Sequence, residues 1–316
     1  MTAPAASSKR ADAGFWSNAK TFFLPVGPQI RREGVRGYPI DLRIKAQTPH
    51  AAPPRGPGHL HVATTQYGLA CFEHWLAGEG PDWLASALAV GRHLADIQSP
   101  DGSWLHPDPF PHTFVLSPPW ASGITQGQGA SLLIRLYAET GDPDLATAAR
   151  LALAPLLTPQ AQGGVRGELG GLPWPEEYPT TPQSHVLNGA MFALWGFRDV
   201  GVILDDAEIR AHFEHGVDSL AANLHRYDTG SWSLYSLFPH PILNRASSFY
   251  HDLQINQLTA MQILAPRAEF AAMRNRWANY STSQYHRSKA FALKAAFRIL
   301  VPRNRALARV APWTRA

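Results

Sequence analysis

The sequence predicts an all-α fold, an incomplete α/α toroid (α/α barrel) of helical hairpins with a short extended N-terminal segment. Three observations support this. From Leu60 onward, apolar residues recur at helical spacing without a convincing set of alternating strands. Linkers at 99–104, 139–144 and 227–232 combine Gly with Asp or Pro, which indicates antiparallel helix pairs. No fixed-period repeat is visible, which favours a closed toroid over an α-solenoid.

The helical segments follow one another along the chain. They are predicted near 62–77, 81–97, 121–139, 142–157, 183–200, 206–226, 247–263, 267–280 and 285–300. Residues 1–58 are predicted to be an extended lead-in, with a strand-like stretch at 38–46 between segments rich in Pro, Gly and small residues. We therefore expect a helical barrel at 59–284 and a basic C-terminal helix and tail at 285–316.

Composition predicts a soluble globular protein, since 45% of its 316 residues are apolar and 16% are charged. Cys71 is the single cysteine, so no intrachain disulfide can form and a reducing compartment is permitted. The N-terminus lacks the apolar run of a secretory signal, and no stretch of eighteen apolar residues predicts a membrane-spanning helix. The expected location is cytoplasmic, with peripheral membrane contact as an additional hypothesis.

The stretch PEEYPTTPQSHVLNG at 175–189 places two acids and a tyrosine between prolines, which predicts a stiff, non-helical segment. Thr181 is expected to cap a helix that begins at Pro182, so Asn188 and Gly189 would fall inside that helix. Such residues cost up to about 1 kcal/mol each, which suggests that another group closely approaches this face. Alternatively, the acids only favour the helix N-terminus. Composition alone leaves function and packing equally open.

This stretch resembles the signature of the D-glucuronyl C5-epimerase C-terminal domain. Further motifs agree in order: QYGL at 66–69, W-x-S-x-x-x-QGQ at 120–128, YDTGS at 227–231, Tyr-x-Leu at 235–237, YH at 250–251 and INQL at 255–258. The resemblance spans roughly residues 36–280. It implies an α/α-barrel catalytic domain and C5-epimerisation of D-glucuronate to L-iduronate in a polysaccharide, without a cofactor.

The chemistry of C5 inversion requires two proton-transfer groups. Removal of H5 from a hexuronate creates an aci-carboxylate dianion, and a proton delivered to the opposite face inverts the centre. The resemblance implies that Glu177, Tyr178 and Tyr250 are catalytic, with Tyr250 on one face and the Glu177–Tyr178 pair on the other. Which of them acts first is left open.

The developing carboxylate charge requires fixed donors around the substrate. The candidate substrate-binding residues are Asn188, Tyr235, Arg245, His251, Gln126 and Gln128. Asn188 and Tyr235 match family positions near substrate. The alternatives are a core or capping role for His251, a surface position for Arg245, and the satisfaction of backbone groups at a helix start by the two glutamines.

Two departures bear on substrate identity. The family's Trp-Asp before Tyr-His is Ser248–Phe249 here. The family's Tyr-Asp-Leu-Arg-His is Tyr-Ser-Leu-Phe-Pro at 235–239 here, so an arginine is lost and Arg245 becomes its candidate replacement. A different uronate-containing glycan is the expected consequence. Two other functions remain as alternatives: a uronate polysaccharide lyase that eliminates the C4 substituent, and a glycan-binding relative without catalysis.

The expected partner is an anionic uronate-containing polysaccharide, and a homodimer is a further hypothesis. No metal-ligand spacing, phosphate-binding glycine loop or nucleic-acid module is recognisable, so no metal, cofactor or nucleic acid is expected. Residues 287–316 carry eight Lys or Arg and no acid, although the whole chain has a net charge of +4. A helix near 286–300 would have an apolar and a cationic side, and would either pack on the barrel or contact an anionic membrane.

Overall fold

A computed structural model describes residues 30–31, 34–49, 60–108, 110, 112–114, 116 and 118–303. Its α-helices are α1 (His61–Leu76), α2 (Pro81–Asp96), α3 (Gly123–Thr140), α4 (Pro143–Leu151), α5 (Ala154–Leu157), α6 (Leu187–Ile203), α7 (Ala207–Asn223), α8 (Ser248–Leu264), α9 (Ala268–Thr282) and α10 (Gln284–Leu300). The strands form two antiparallel pairs, β1 (Ile30–Arg31) with β2 (Gly34–Val35) and β3 (Arg166–Leu169) with β4 (Leu172–Pro175). The predicted all-α class is confirmed.

The helices form hairpins arranged in an inner and an outer layer. Helices α1, α3, α6 and α8 each pack against the helix or short helix pair that follows, and α1 contacts α3, α3 contacts α6, and α6 contacts α8. Among the described residues, α8 makes no extensive contact with α1, so the inner ring is open on that side. This is the incomplete α/α toroid that the sequence predicts.

The inner position of α3 and α6 follows from their sequences. Every residue of α3 from Gly123 to Leu136 is buried, as is every residue of α6 from Leu187 to Gly201, because both helices are largely free of charged side chains on all faces. The two cross closely at glycines. A Cβ placed on Gly196 would lie 2.7 Å from the Cα of Gly127, so neither position has room for a side chain.

The structure corrects two local predictions. The stretch at 38–46 is not a strand: it holds a 3₁₀ turn at Arg43–Lys45, and its apolar residues Tyr38, Ile40, Leu42 and Ala46 are buried in the main core. The β3–β4 hairpin was not predicted. Most of the predicted lead-in 1–58 lies outside the described residues, and the proposed domain boundaries remain predictions.

The helix expected to begin at Pro182 begins at Leu187, so the prediction that Thr181 caps it is wrong. The reason is a competing set of hydrogen bonds. The Glu176 carboxylate accepts hydrogen bonds from Ser184 Oγ at 2.7 Å and from the His185 backbone N–H at 2.8 Å. These groups are therefore held in the loop and cannot form the first helical turn.

The C-terminal helix α10 is present, but its faces differ from the prediction. Ala290 and Phe297 are buried, and Lys294 points toward the body, whereas Phe291 and Ile299 are exposed by 74% and 79%. No helix of the described residues is long and apolar enough to cross a membrane. Nothing in the described part of the chain supports the hypothesised membrane contact or homodimer.

Candidate active site

A pocket of about 300 Å³ lies where the inner ring is open. Leu60, Val62 and Gln66 of the α1 region line one side, and Phe249, Tyr250 and Leu253 of α8 line another. Leu42, Lys45, Phe110, Ile124, Glu177, Tyr178, Asn188 and Phe192 complete the lining. The pocket is large enough for a sugar residue and is mostly apolar with a few convergent polar groups, which is typical of ligand sites.

The β3–β4 hairpin positions the two adjacent acids. Glu176 follows β4, its N–H donates to Val165 O at 2.8 Å, and its carbonyl accepts from Gly123 N–H at 3.0 Å at the start of α3. The Glu176 carboxylate is fully buried, and its Oε1 lies 2.6 Å from His185 Nδ1. The hydrogen-bonding capacity of this carboxylate is therefore used by Ser184 and His185, which gives Glu176 a structural role.

Glu177 is also buried but has no comparable protein partner. Its Oε2 makes no hydrogen bond within the described residues, and it lines the pocket. The pKa of Glu177 is raised to about 7, mainly by burial and also by the charge of Glu176, against the opposing effects of a hydrogen bond with Tyr178 and the charge of Arg303. A carboxyl group with this pKa exchanges its proton near neutral pH, as a general acid or base must.

Gly189 explains how Glu177 fits against α6. A Cβ on Gly189 would overlap the Glu177 carboxylate and lie 2.6 Å from the Glu177 Cβ. The close approach inferred from the sequence is thus made by Glu177. Asn188 lies beside this glycine in the first turn of α6, is buried and lines the pocket, and its Oδ1 has no hydrogen-bond partner in the described part of the chain.

Three buried or half-buried tyrosines gather next to Glu177. The Tyr235 and Tyr250 ring centroids are 4.8 Å apart, and both tyrosines interact with Tyr178. Burial raises the pKa of Tyr250 to about 12 and places those of Tyr178 and Tyr235 well above the ordinary range, with Glu177 contributing to each shift. All three phenols therefore carry their protons at neutral pH. We call Tyr178, Tyr235 and Tyr250 the tyrosine cluster.

The remaining predicted substrate-binding residues lie outside the pocket lining. His251 is fully buried, stacks on Trp232 with ring centroids 3.7 Å apart, and contacts Ser233 Oγ and Trp277 O through its two ring nitrogens. Burial lowers its pKa to about 4, so it is neutral. This placement matches the alternative of a core histidine.

The two glutamines are buried within the protein framework, and Arg245 is half-buried. Gln126 bonds the backbone of Trp104, Gly102 and Ala152 at 2.8–3.0 Å, which matches the alternative that it satisfies backbone groups. Gln128 is buried next to Tyr38. The carbonyl of Arg245 accepts a hydrogen bond from Lys294. None of the three lines the pocket.

Two titratable residues at or beside the pocket, Lys45 and His112, are not predicted from the sequence. Lys45 lines the pocket, and burial lowers its pKa to about 8. The sequence pattern around Lys45 predicts a strand-like stretch in an extended lead-in, which gives Lys45 no place at a site. His112 is fully buried, with its ring centroid 5.1 Å from that of Tyr178, and burial lowers its pKa well below the usual range. No spacing rule in the sequence identifies either residue.

No group of three or more His, Cys, Asp or Glu residues suited to a metal ion occurs in the described residues. Comparison with known proteins bears directly on the arrangement of Glu177 and the tyrosine cluster. The family model described as D-glucuronyl C5-epimerase C-terminus matches residues 100–279, more than half of the chain. The chain belongs to this family.

The match to the D-glucuronyl C5-epimerase family includes Glu177, all of the tyrosine cluster and both strands of the β3–β4 hairpin. A curated relative, D-glucuronyl C5-epimerase of Caenorhabditis elegans, is 33% identical over 212 residues, which cover 61% of this chain and 34% of the relative. The chain thus spans about a third of that relative's length. Lys45 and α10 lie outside the residues matched by the family model.

A search of solved structures finds cellobiose 2-epimerase from Bacillus thermoamylovorans B4167, with a TM-score of 0.49 and 11% identity. The alignment covers 86% of this chain and 72% of that chain.

Proposed function

We propose that this protein inverts C5 of D-glucuronate residues in an anionic polysaccharide, giving L-iduronate, by proton transfer on two faces and without a cofactor. The observation that carries the proposal is the buried Glu177 carboxylate, whose Oε2 has no hydrogen-bond partner in the described residues and whose pKa is raised to about 7, in a pocket that it shares with Tyr178 and Tyr250. Family membership supports the same chemistry.

Glu177 is the proposed base. It takes H5 as the C5–H bond breaks, and the electron pair passes into the carboxylate to give the aci-carboxylate dianion. The tyrosine hydroxyls are less suited to this step because burial and Glu177 both raise their pKa values. A carboxylate with a pKa near the working pH has both the correct protonation state and adequate basicity.

Tyr250 is the proposed acid on the opposite face. Its hydroxyl gives a proton to C5 as the electron pair returns to that carbon, which leaves Tyr250 as phenolate and Glu177 protonated. The enzyme is reset when this proton returns from Glu177 to Tyr250. The proposed route runs through the hydrogen bonds of Glu177 with Tyr178 and of Tyr178 with Tyr235, and then to Tyr250, whose ring centroid lies 4.8 Å from that of Tyr235.

The additional negative charge of the intermediate needs nearby cations and hydrogen-bond donors. Lys45 and Asn188 line the same pocket and are the proposed partners of the reacting carboxylate. Lys45, whose pKa is about 8, carries a proton at neutral pH, and a bound anion would raise that pKa further. A fixed ammonium group of this kind stabilises the dianion more than it stabilises the substrate.

The test is solvent deuterium exchange. The protein is incubated in deuterium oxide with heparosan, desulfated chondroitin and other glucuronans, and NMR locates deuterium at C5 and the iduronate resonances. Deuterium at C5 together with iduronate is expected for at least one polymer. Absence of C5 deuterium from every glucuronan would refute the proposal, and near-ultraviolet absorbance from an unsaturated uronate would assign the lyase reaction instead.

A further inference from the structure

The C-terminal helix α10 directs cations toward the tyrosine cluster. Lys294 and Arg298 are one helical turn apart on the side of α10 that also carries the buried Phe297, and Arg303 follows the helix end. The Lys294 Nζ lies 5.7 Å from the Tyr235 ring centroid, and Arg303 Nη2 lies 3.3 Å from His112 Nε2. Lys294 and Arg303 therefore contact Tyr235 and His112, and both of these rings lie next to Tyr178, which lines the pocket.

Lys294 attaches α10 to the rest of the molecule. Its Nζ donates to Asn244 Oδ1 at 2.8 Å and to Arg245 O at 2.6 Å, in the loop that precedes α8. The hydrogen-bonding capacity of this ammonium group is thus largely used within the protein. Its role is structural, and it keeps the neighbouring Arg298 close to the tyrosine cluster.

Arg298 lacks such compensation, whereas Arg303 has the neutral ring of His112 as a hydrogen-bond partner but no ion pair within the described residues. Arg298 Nη1 is buried without a hydrogen-bond partner in the described residues, and none of the ion pairs found there includes Arg298, Arg303 or Lys294. Burial and the charges of Arg298 and Arg303 lower the pKa of Lys294 to about 7, and burial with Arg303 lowers that of Arg298 to about 10. Lys294 and Arg298 are half-buried and Arg303 is exposed. Like charges held this close together destabilise the protein unless an anion joins them.

We propose that Arg298 and Arg303 form an anion subsite that binds the carboxylate of a uronate flanking the one in the pocket. The identity of this ligand rests on the proposed function. A guanidinium group pairs with a carboxylate through two parallel hydrogen bonds, and the unpartnered Nη1 of Arg298 is available for one of them. Both arginines are partly accessible, so a polymer chain that leaves the pocket can reach them.

The test measures the affinity of unsulfated heparosan oligosaccharides by titration calorimetry. The variants are Arg298→Gln and Arg303→Gln, and Arg287→Gln is the matched control because Arg287 is exposed on the same helix. Each subsite variant is expected to bind about tenfold more weakly, the size of one lost hydrogen bond to a charged group, while the control binds like wild type.

Modified ligands identify the group that is bound. With a carboxyl-reduced oligosaccharide, the affinity difference between wild type and Arg298→Gln is expected to disappear. An effect of Arg298→Gln seen only with N-sulfated oligosaccharides would overturn the assignment to a carboxylate. Unchanged affinity in both subsite variants would overturn the subsite altogether, as would a loss of kcat with no change in affinity or KM.

Thermal unfolding separates binding from a structural role. Without ligand, Arg298→Gln is expected to melt at the wild-type temperature or above it, because it relieves repulsion, and to lose the stabilisation by oligosaccharide. A lower melting temperature without ligand would show that Arg298 is structural. In that case the subsite is tested by Arg303→Gln alone, which should bind heparosan oligosaccharides about tenfold more weakly. If oligosaccharide binding depends on Arg298 but wild type incorporates no deuterium at C5, the proposed function is refuted and the subsite is not. If wild type incorporates deuterium at C5 but the subsite variants bind as tightly as wild type, the subsite is refuted and the proposed function is not.

Discussion

Replacement of Glu177 by glutamine should change activity and stability in opposite directions. Burial is the main reason that the pKa of Glu177 rises from its ordinary value of 4.5 to about 7. Each pKa unit corresponds to about 1.4 kcal/mol, so the ionised carboxylate costs the folded protein about 3 kcal/mol. A neutral amide of the same shape does not carry this cost.

The sign of the pH dependence follows from proton linkage. Because the folded pKa exceeds the unfolded one, the folded state binds more protons between pH 4.5 and about 7, and wild-type stability falls as pH rises through this window. The Glu177→Gln variant lacks this titration. Relative to wild type, it should gain up to about 3 kcal/mol in free energy of unfolding as the pH rises from about 4 to about 8.

The assay is urea unfolding at several pH values, with Glu168→Gln as the control because Glu168 is an exposed carboxylate on β3. The control should show a difference from wild type that does not vary with pH. Deuterium incorporation at C5 by Glu177→Gln should fall by at least about a hundredfold, since a general base typically contributes that much. A stability difference between Glu177→Gln and wild type that is the same at both pH extremes would show that the pKa of Glu177 is not raised by burial. Retained turnover in Glu177→Gln would show that Glu177 is not the base.

Three further outcomes are expected. Gly189→Ala should lower turnover by about a hundredfold, because the new Cβ displaces the Glu177 carboxylate. The control Gly216→Ala should keep wild-type turnover, because its Cβ meets only the flexible end of Leu194. Equal turnover in the two variants would contradict the packing argument. Tyr250→Phe should lower turnover at least about a hundredfold and leave the circular dichroism spectrum unchanged, because only a proton-donating hydroxyl is lost; near-normal exchange would remove Tyr250 from the mechanism. The kcat/KM of wild type should rise with pH through a midpoint near 7 as Glu177 ionises, and an acid limb centred near 4.5 would mean that its pKa is not raised.

Much of the fold was predictable because its determinants are local. Helical periodicity and Gly- or Pro-containing linkers gave the hairpin pairs, since the spacing of apolar residues is a property of each segment alone. The errors lie where distant groups compete with local preference. Glu176 captures Ser184 and His185 and so delays the start of α6, and a turn at Arg43–Lys45 replaces the predicted strand.

The motif at 175–189 and the family resemblance it carries also predicted residues that the structure places at the pocket. The motif at 175–189 placed Glu177 and Tyr178 together, and the glycine within it predicted a close approach that Glu177 makes. The contrast between the two adjacent acids came only from the structure. Glu176 is bound by loop groups that follow it in sequence, while Glu177 turns into a pocket lined by α1, α6 and α8.

Only the tertiary structure decided which charges meet the site. Lys45 and Arg298 are separated by most of the chain, yet one lines the pocket and the other borders the tyrosine cluster. In the sequence, Arg298 belongs to a basic tail and suggested a membrane surface. Electrostatic interaction and burial depend on distance in space, and that distance is set by how the helices pack, which the periodicity of a single segment does not encode.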